Sequence, residues 1–388
     1  MNKELITACM PVRNIPAQVT VLYEEGLPAE LYVEPEHKES LLGRIVIGKV
    51  ETVSAGLSAA FLRTGADQRA YMPLTQSESA GKQIRPGDEL AVQFVQEAQK
   101  TKLPKVTTAW ELAGNYLVLS SREGKPVCSR KLASEQKQAL LRMASSWNTE
   151  DCGILFRTRA ASAEPDAVQD EFLHLYKEVR EIRHKAATRA CFSVLYEPPG
   201  LQHSLISRCQ PGELQRFVTD DPDLADSIRD ACLQAGCTPE LYQDPQLALY
   251  HLRNLSTLLD RLNSVTVPLR SGGSLIIEQT EAFVVIDVNT ARYTGKRDHQ
   301  ETVRKINHEA ALEAARQIRL RQLSGTILID FINCDIQQEE ELGRALNNSF
   351  FHDPVSTKLI DFTKLHICEI TRRKVYRSLK EQIMALKE

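Results

Sequence analysis

The strongest constraint in this sequence is a juncture of apolar run and acid that occurs twice in its last block, residues 263–388. Residues 283–292 read FVVIDVNTAR, and residues 326–332 read TILIDFI. A carboxylate at the tip of a hydrophobic run is costly to desolvate unless a cation meets it there. Between the two runs, DHQETVRKINHEAALEAARQIRLRQL places Val303, Ile306, Ala310, Ala314 and Ile318 on one helical face, and Ser324 and Gly325 are expected to stop the helix. Strand, helix and strand at this spacing predict a βαβ unit with parallel, adjacent strands. Asp287 and Asp330 then fall at equivalent places near the carboxyl ends of those strands, about 4.8 Å apart across the sheet. Two carboxylates held this way can both reach a magnesium ion, at the edge where open α/β sheets place their ligands. Asn289 points to the same side as Asp287 and is suited to orient a carboxylate or a phosphate oxygen. The alternative is structural: the two aspartates cap loops or pair with arginines of the intervening helix.

The bulk properties bound the rest. A chain of 388 residues exceeds one core and predicts two to four domains. With 42% hydrophobic and 26% charged residues it should fold. A formal net charge of −3 excludes a generally basic coat, though not a local basic channel. The nine cysteines stand singly with no Cys-x-x-Cys pair, which reads as reduced cysteine in a cytoplasmic protein. The first twenty residues contain no sustained apolar segment, so neither a signal peptide nor a membrane span is expected.

Texture divides the chain further. Residues 1–31 alternate apolar and polar around a Glu-Gly turn and read as strands. Several short strands with Gly-marked turns follow, predicting a small OB-type barrel over 32–110. Residues 111–203 mix a strand, GILFRTRA at 153–160, with a polar helix through DEFLHLYKEVREIRHKAAT. Residues 204–262 read as a strand followed by helices.

These residues resemble a known family. SGGSLIIEQTEAFVVIDVNTAR followed by NHEAALEAARQIRLRQLSGTILIDFI closely resembles the catalytic region of the ribonuclease E/G family of bacterial endoribonucleases. SAAFLRTGADQRAYMPL is similar to that family's RNA-binding barrel, ELAGNYLVL to the segment after it, and GILFRTRA to its 5′-sensing region. The resemblance runs in order along nearly the whole chain. It implies an α/β fold of several subdomains: an RNase-H-like piece from 1–31 and 204–262 into which the OB-type barrel (32–110) is inserted, a 5′ sensor (111–203) and a deoxyribonuclease-I-like catalytic subdomain (263–388). It implies cleavage of single-stranded RNA to 5′-phosphate and 3′-hydroxyl ends, with Mg²⁺ on Asp287 and Asp330 and Asn289 in support. Phe61 and Tyr71 match its base-stacking aromatics, although Phe61 could instead fill the barrel core, and Lys102 matches its barrel lysine. Gly114, Val118, Arg157 and Thr158 match its pocket for a 5′-terminal monophosphate.

Two departures qualify the match. Where the family adds an arginine to that pocket, the stretch VSTKL offers Ser356 or Thr357, with Lys358 nearby. The family continues into a Cys-x-x-Cys zinc link between subunits, whereas this sequence reaches SLKEQIMALKE; no structural zinc is expected, nor any homo-oligomer joined through one. Arg292, Lys296, Arg297 and the basic run 372–374 are placed to neutralise backbone phosphates. Two other readings stand beside the nuclease. One is a family member that binds RNA without cutting it, which loss of a metal carboxylate would mark. The other is a phosphatase with an Asp-x-Asp strand, where Asn289 could not serve as general acid.

Overall fold

The computed structural model describes residues 2–36, 41–74, 84–98, 102–147, 152–290 and 299–386. It comprises two compact units, Met1–Lys38 with Pro211–Glu388, and Glu39–Gln210.

The first unit holds two sheets. One runs in the order Pro239–Leu241, Leu214–Thr219, Lys3–Val12, Ile15–Glu24, Leu27–Pro35. Its last three strands form an antiparallel meander with two-residue turns at Arg13-Asn14 and Glu25-Gly26, all four residues at positive φ. Paired left-handed residues give the turn whose twist matches that of the flanking strands. Lys3–Val12 also pairs in parallel with Leu214–Thr219. Leu5 and Ile6 are buried in this sheet, and Leu320, Leu379 and Ile383 from late in the chain join the core that contains Ile6.

The second sheet runs Thr266–Pro268, Ser274–Gln279, Phe283–Asn289, Gly325–Asp330, Ile367–Arg372, Thr357–Phe362. Its neighbours are antiparallel except Phe283–Asn289 and Gly325–Asp330, which are parallel and adjacent as the βαβ pattern requires. The connecting helix is His299–Leu320, and Val303, Ile306, Ala310, Ala314 and Ile318 are all buried. Together with Ile336–Phe350 it covers one face of the sheet, where Val284, Ile286 and Val288 point inward. Among the described residues the opposite face is open: Phe283 is 47% exposed and Val285 36%.

The helix ends earlier than Ser324-Gly325. Gln322 takes a left-handed conformation at φ +52°, the Leu323 N–H reaches the Ile318 carbonyl at 2.9 Å, and the Gln322 N–H reaches that of Arg319 at 3.2 Å. This is a Schellman ending with glutamine where glycine is usual. The Gln322 side chain is buried and accepts hydrogen bonds from Arg372.

In the second unit, Ile45–Ser54, Ala59–Arg63, Arg69–Pro73, Lys105–Thr107 and Glu89–Gln96 close on themselves through pairing of the first with the last, a five-stranded OB-like barrel. Val46, Val50, Ala60, Leu62, Ala70, Met72, Val92, Phe94 and Val106 fill its interior. A four-stranded sheet follows, ordered Val127–Cys128, Gly153–Phe156, Leu117–Ser120, Glu111–Ala113, with the helices Ser134–Ala144 and Pro165–Thr188 on its core. The strand expected over 153–160 stops at Phe156. The Arg157 N–H still bonds to Tyr116, but the Ala160 N–H turns back onto the Arg157 carbonyl and Thr158–Ser162 coils as a 3₁₀ turn.

Candidate functional site

Asp287 and Asp330 are direct partners across the parallel strand pair. Alternation along Phe283–Asn289 sends Val284, Ile286 and Val288 into the core and leaves Asp287 and Asn289 on the open face. Asp287 is half-buried there and Asp330 exposed. The two acids therefore border water rather than a dry interior. What holds them in place is register. The Asn289 side-chain amide donates to Asp287 Oδ2 at 2.7 Å, which fixes the rotation of that carboxylate and leaves Oδ1 for another partner. Half-buried Ile276 and Ile367 flank the acid pair in the same cross-strand row.

Among the described residues neither carboxylate meets a Lys or Arg, and no group of three or more His, Cys, Asp or Glu is placed to hold a metal ion. Two carboxylates on an open face fit a magnesium ion, which keeps most of its water and takes one or two protein carboxylates together with substrate phosphates.

The segment after Asp330 is fixed by a residue that sequence reasoning missed. Asn307, on the His299–Leu320 helix and 1% exposed, donates to the Ile332 carbonyl at 2.8 Å and accepts the Ile332 N–H at 3.1 Å. Its amide also reaches Gln338 Oε1 at 3.2 Å. A buried asparagine whose partners are a peptide group 25 residues away and a side chain 31 residues away leaves no local sequence signal.

Of the expected basic residues, Arg292, Lys296 and Arg297 lie outside the described residues. Arg372 cannot neutralise a phosphate, because it is 2% exposed and forms a two-pronged ion pair with Asp353 at 2.8 and 3.1 Å. Thr357 donates to the same Asp353 at 2.6 Å, so its hydroxyl is engaged within the fold. Arg373, Lys374 and Lys358 are exposed.

On the barrel, Phe61 and Tyr71 face outward. Their neighbours Ala60, Leu62, Ala70 and Met72 point into the interior, and the two rings meet edge to face at 5.9 Å and 65°. Phe61 is thus not part of the barrel core. Lys105 lies opposite Tyr71 in register, and Lys102 is exposed in the segment leading into that strand. One row along, Lys49, Arg63 and Arg69 are cross-strand partners, with Glu51 at 3.1 Å from Arg69 and 3.9 Å from Arg63. Aromatic faces interleaved with cations suit single-stranded nucleic acid, since every base offers a π-face.

In the same unit Gly114, Val118, Arg157 and Thr158 gather around one turn. The Arg157 guanidinium donates to the Gly114 carbonyl at 2.5 Å, and the Thr158 hydroxyl lies 3.2 Å from that of Ser129. Val118 sits opposite Leu155 and Ala113 in the small sheet. Burial lowers the pKa of Arg157, and the positive charges of Arg159 and Arg208 act in the same direction against the pull of Glu171. Arg159 and Arg208, which sequence reasoning did not single out, add positive charge around Arg157. Arg159 itself donates to the carbonyls of Ser207 and Cys209.

A sequence model of the Ribonuclease E/G family matches residues 111–375. The ribonuclease G of Haemophilus influenzae is 31% identical over 400 aligned positions, covering 92% of this chain and 78% of that protein. That of Escherichia coli K12 is 28% identical over 97% of this chain and 81% of its own length. The ribonuclease E of Synechocystis is 27% identical over 94% of this chain and 56% of its own length. With a family match through the acid-bearing sheet and relatives aligned along nearly its full length, the chain belongs to the ribonuclease E/G family.

Proposed function

We propose that this family member is a Mg²⁺-dependent endoribonuclease that hydrolyses single-stranded RNA, leaving 5′-phosphate and 3′-hydroxyl ends, in RNA processing or decay. The observation that carries the proposal is the register pairing of Asp287 with Asp330 on an open sheet face, with Asn289 bonded to the first. Asp287 and Asp330 would hold the Mg²⁺ ion, whose chemistry there would be Lewis-acid polarisation of the scissile phosphodiester and a lowered pKa of water at neutral pH. The chain's own residues do the positioning. Asn289 orients the Asp287 carboxylate, and Asn307 holds the backbone two residues past Asp330. Phe61 and Tyr71 stack bases, while Lys102 neutralises backbone charge. A 5′-terminal monophosphate is read by Arg157 and Thr158 at the Gly114 turn near Val118, because guanidinium and hydroxyl donors match phosphate oxygens.

In this reading the meander sheet with 204–262 is the RNase-H-like part, 111–203 the 5′ sensor and 263–388 the deoxyribonuclease-I-like catalytic part. Among the described residues no helix is long and apolar enough to cross a membrane, and all nine cysteines are free. A cytoplasmic location accords with free thiols.

The test is incubation of the purified protein with a 5′-labelled, A/U-rich single-stranded RNA, first with Mg²⁺ and then with EDTA. Internal cuts that appear with Mg²⁺ and stop with EDTA are expected. Tight RNA binding without any cut, under Mg²⁺ and with both aspartates intact, would favour a family member that only binds.

A further inference from the structure

The turn that presents Gly114 is held by a carboxylate that is not one of the pocket residues Gly114, Val118, Arg157 and Thr158. Glu171, on the Pro165–Thr188 helix, accepts the Asn115 N–H at 2.8 Å through Oε2, and the Tyr116 and Leu117 N–H groups at 2.7 and 2.9 Å through Oε1. Three consecutive amide donors converge on one carboxyl group. That group fills the space glycine leaves: a Cβ at Gly114 would lie 2.4 Å from Glu171 Oε1. Arg157 grips the same turn, donating its guanidinium to the Gly114 carbonyl at 2.5 Å and its backbone N–H to the Tyr116 carbonyl at 2.8 Å. The turn closes on itself through Gly114 N–H to Leu117 carbonyl at 2.8 Å.

We infer that Glu171 is a positioning residue for recognition of the RNA 5′ terminus, fixing the 114–117 turn so that the Gly114 carbonyl sets the Arg157 guanidinium for a terminal monophosphate. The inference rests on the 5′-phosphate reading proposed above. Only an ionised carboxylate serves here, because it accepts at both oxygens and donates at neither. A glutamine of the same shape accepts at one oxygen and turns an NH₂ group toward donors, so at least one amide loses its partner. With the turn loosened, Arg157 loses its anchor beside Arg159 and Arg208, whose like charges push it away.

The experiment compares kcat/KM for one RNA carrying either a 5′-monophosphate or a 5′-hydroxyl, in the full chain and in Glu171→Gln, Glu171→Asp and Gly114→Ala. Wild type is expected to prefer the monophosphate by roughly tenfold, the worth of one charge-assisted hydrogen bond. Glu171→Gln should bring the ratio to about twofold or less, with the loss falling on the monophosphorylated RNA, while Glu171→Asp, still acceptor-only, keeps part of it. Gly114→Ala, which drives a methyl group into the carboxylate, should lose the preference in the same way; if Glu171→Gln does not fold, Glu171→Asp serves, and a ratio unchanged there would overturn the inference. Equal wild-type rates would overturn the 5′-phosphate reading itself, and the inference with it. A wild-type preference retained in Glu171→Gln would overturn the inference alone. A ratio that rises in Glu171→Gln would also overturn it, since the carboxylate would then be competing with phosphate for the turn. So would an equal fall on both RNAs, which marks general damage to the unit.

Discussion

Replacing Phe61 with alanine separates binding from folding, because the ring lies outside the barrel it decorates. Its neighbours Ala60 and Leu62 are fully buried while Phe61 is half-buried, and its main aromatic contact is the edge-to-face meeting with Tyr71 at 5.9 Å. Removing it opens no internal cavity, so the folding cost is that of one aromatic pair and part of a side chain's burial, about 1–2 kcal/mol. Phe94, 1% exposed in the barrel interior, provides the contrast: its truncation should cost about 3–5 kcal/mol. Loss of one base stack should weaken single-stranded RNA binding by about 1–3 kcal/mol. That corresponds to roughly 5- to 150-fold in Kd. The assay is fluorescence anisotropy with a labelled single-stranded RNA at fixed salt, paired with urea denaturation of Phe61→Ala and Phe94→Ala. Two outcomes would refute the reasoning: binding by Phe61→Ala within twofold of wild type, or a stability loss as large as that of Phe94→Ala.

Other outcomes follow from the same geometry. Asp287→Asn and Asp330→Asn should each abolish Mg²⁺-dependent cleavage while RNA affinity stays near wild type, and a gel assay showing near-normal cutting by either variant would remove it from the metal site. Asn307→Ala leaves the Ile332 peptide group unsatisfied, at about 1–3 kcal/mol per orphaned partner; both Tm and cleavage rate should fall, and an unchanged rate would show that the segment after Asp330 needs no clamp. Asp353→Ala strands the buried Arg372 charge and should destabilise the first unit by about 3–5 kcal/mol, so a wild-type urea midpoint would contradict the ion-pair geometry.

The βαβ unit was legible because each cue was local: a 3.6-residue apolar period with Ala at the tight positions, bounded by two apolar runs. Adjacency and register of Asp287 and Asp330 followed from that period and the strand lengths. The sidedness of the first strand was not legible. FVVI is apolar at every position, yet Phe283 and Val285 face outward, because helices cover only one side and residue type alone does not say which. The end of the long helix was misplaced because its left-handed residue is Gln322, whose partner Arg372 is 50 residues away. The barrel showed itself through short strands and glycine turns, but AAFLR is apolar over its first four positions, so the side taken by Phe61 was not legible; in the structure burial alternates only from Ala60 to Arg63 and along RAYMP. Asn307 and Glu171 were hidden for one reason: the Ile332 peptide clamps the first and the 115–117 amides the second, both far along the chain, and peptide groups have no sequence identity.

The parallel pairing of Lys3–Val12 with Leu214–Thr219 has a consequence for synthesis on the ribosome. When residue 35 has been made, the amino-terminal meander already exists as a chain, but one of its edges waits for a strand nearly two hundred residues downstream. The other edge, Leu27–Pro35, waits longer still, since the Val33 N–H is met by the Gln382 side chain at 2.8 Å and the Leu379–Ala385 helix packs beside it. The residues of the second unit are all translated in the interval. A nascent sheet with two open edges is a template for pairing with other chains, and contacts of such long sequence separation form slowly. At elongation rates of about 5–20 residues per second, the meander stays open for roughly ten seconds or more. Substitutions that weaken Leu214–Thr219 or the last helix should therefore lower the yield of soluble protein more than they lower its equilibrium stability.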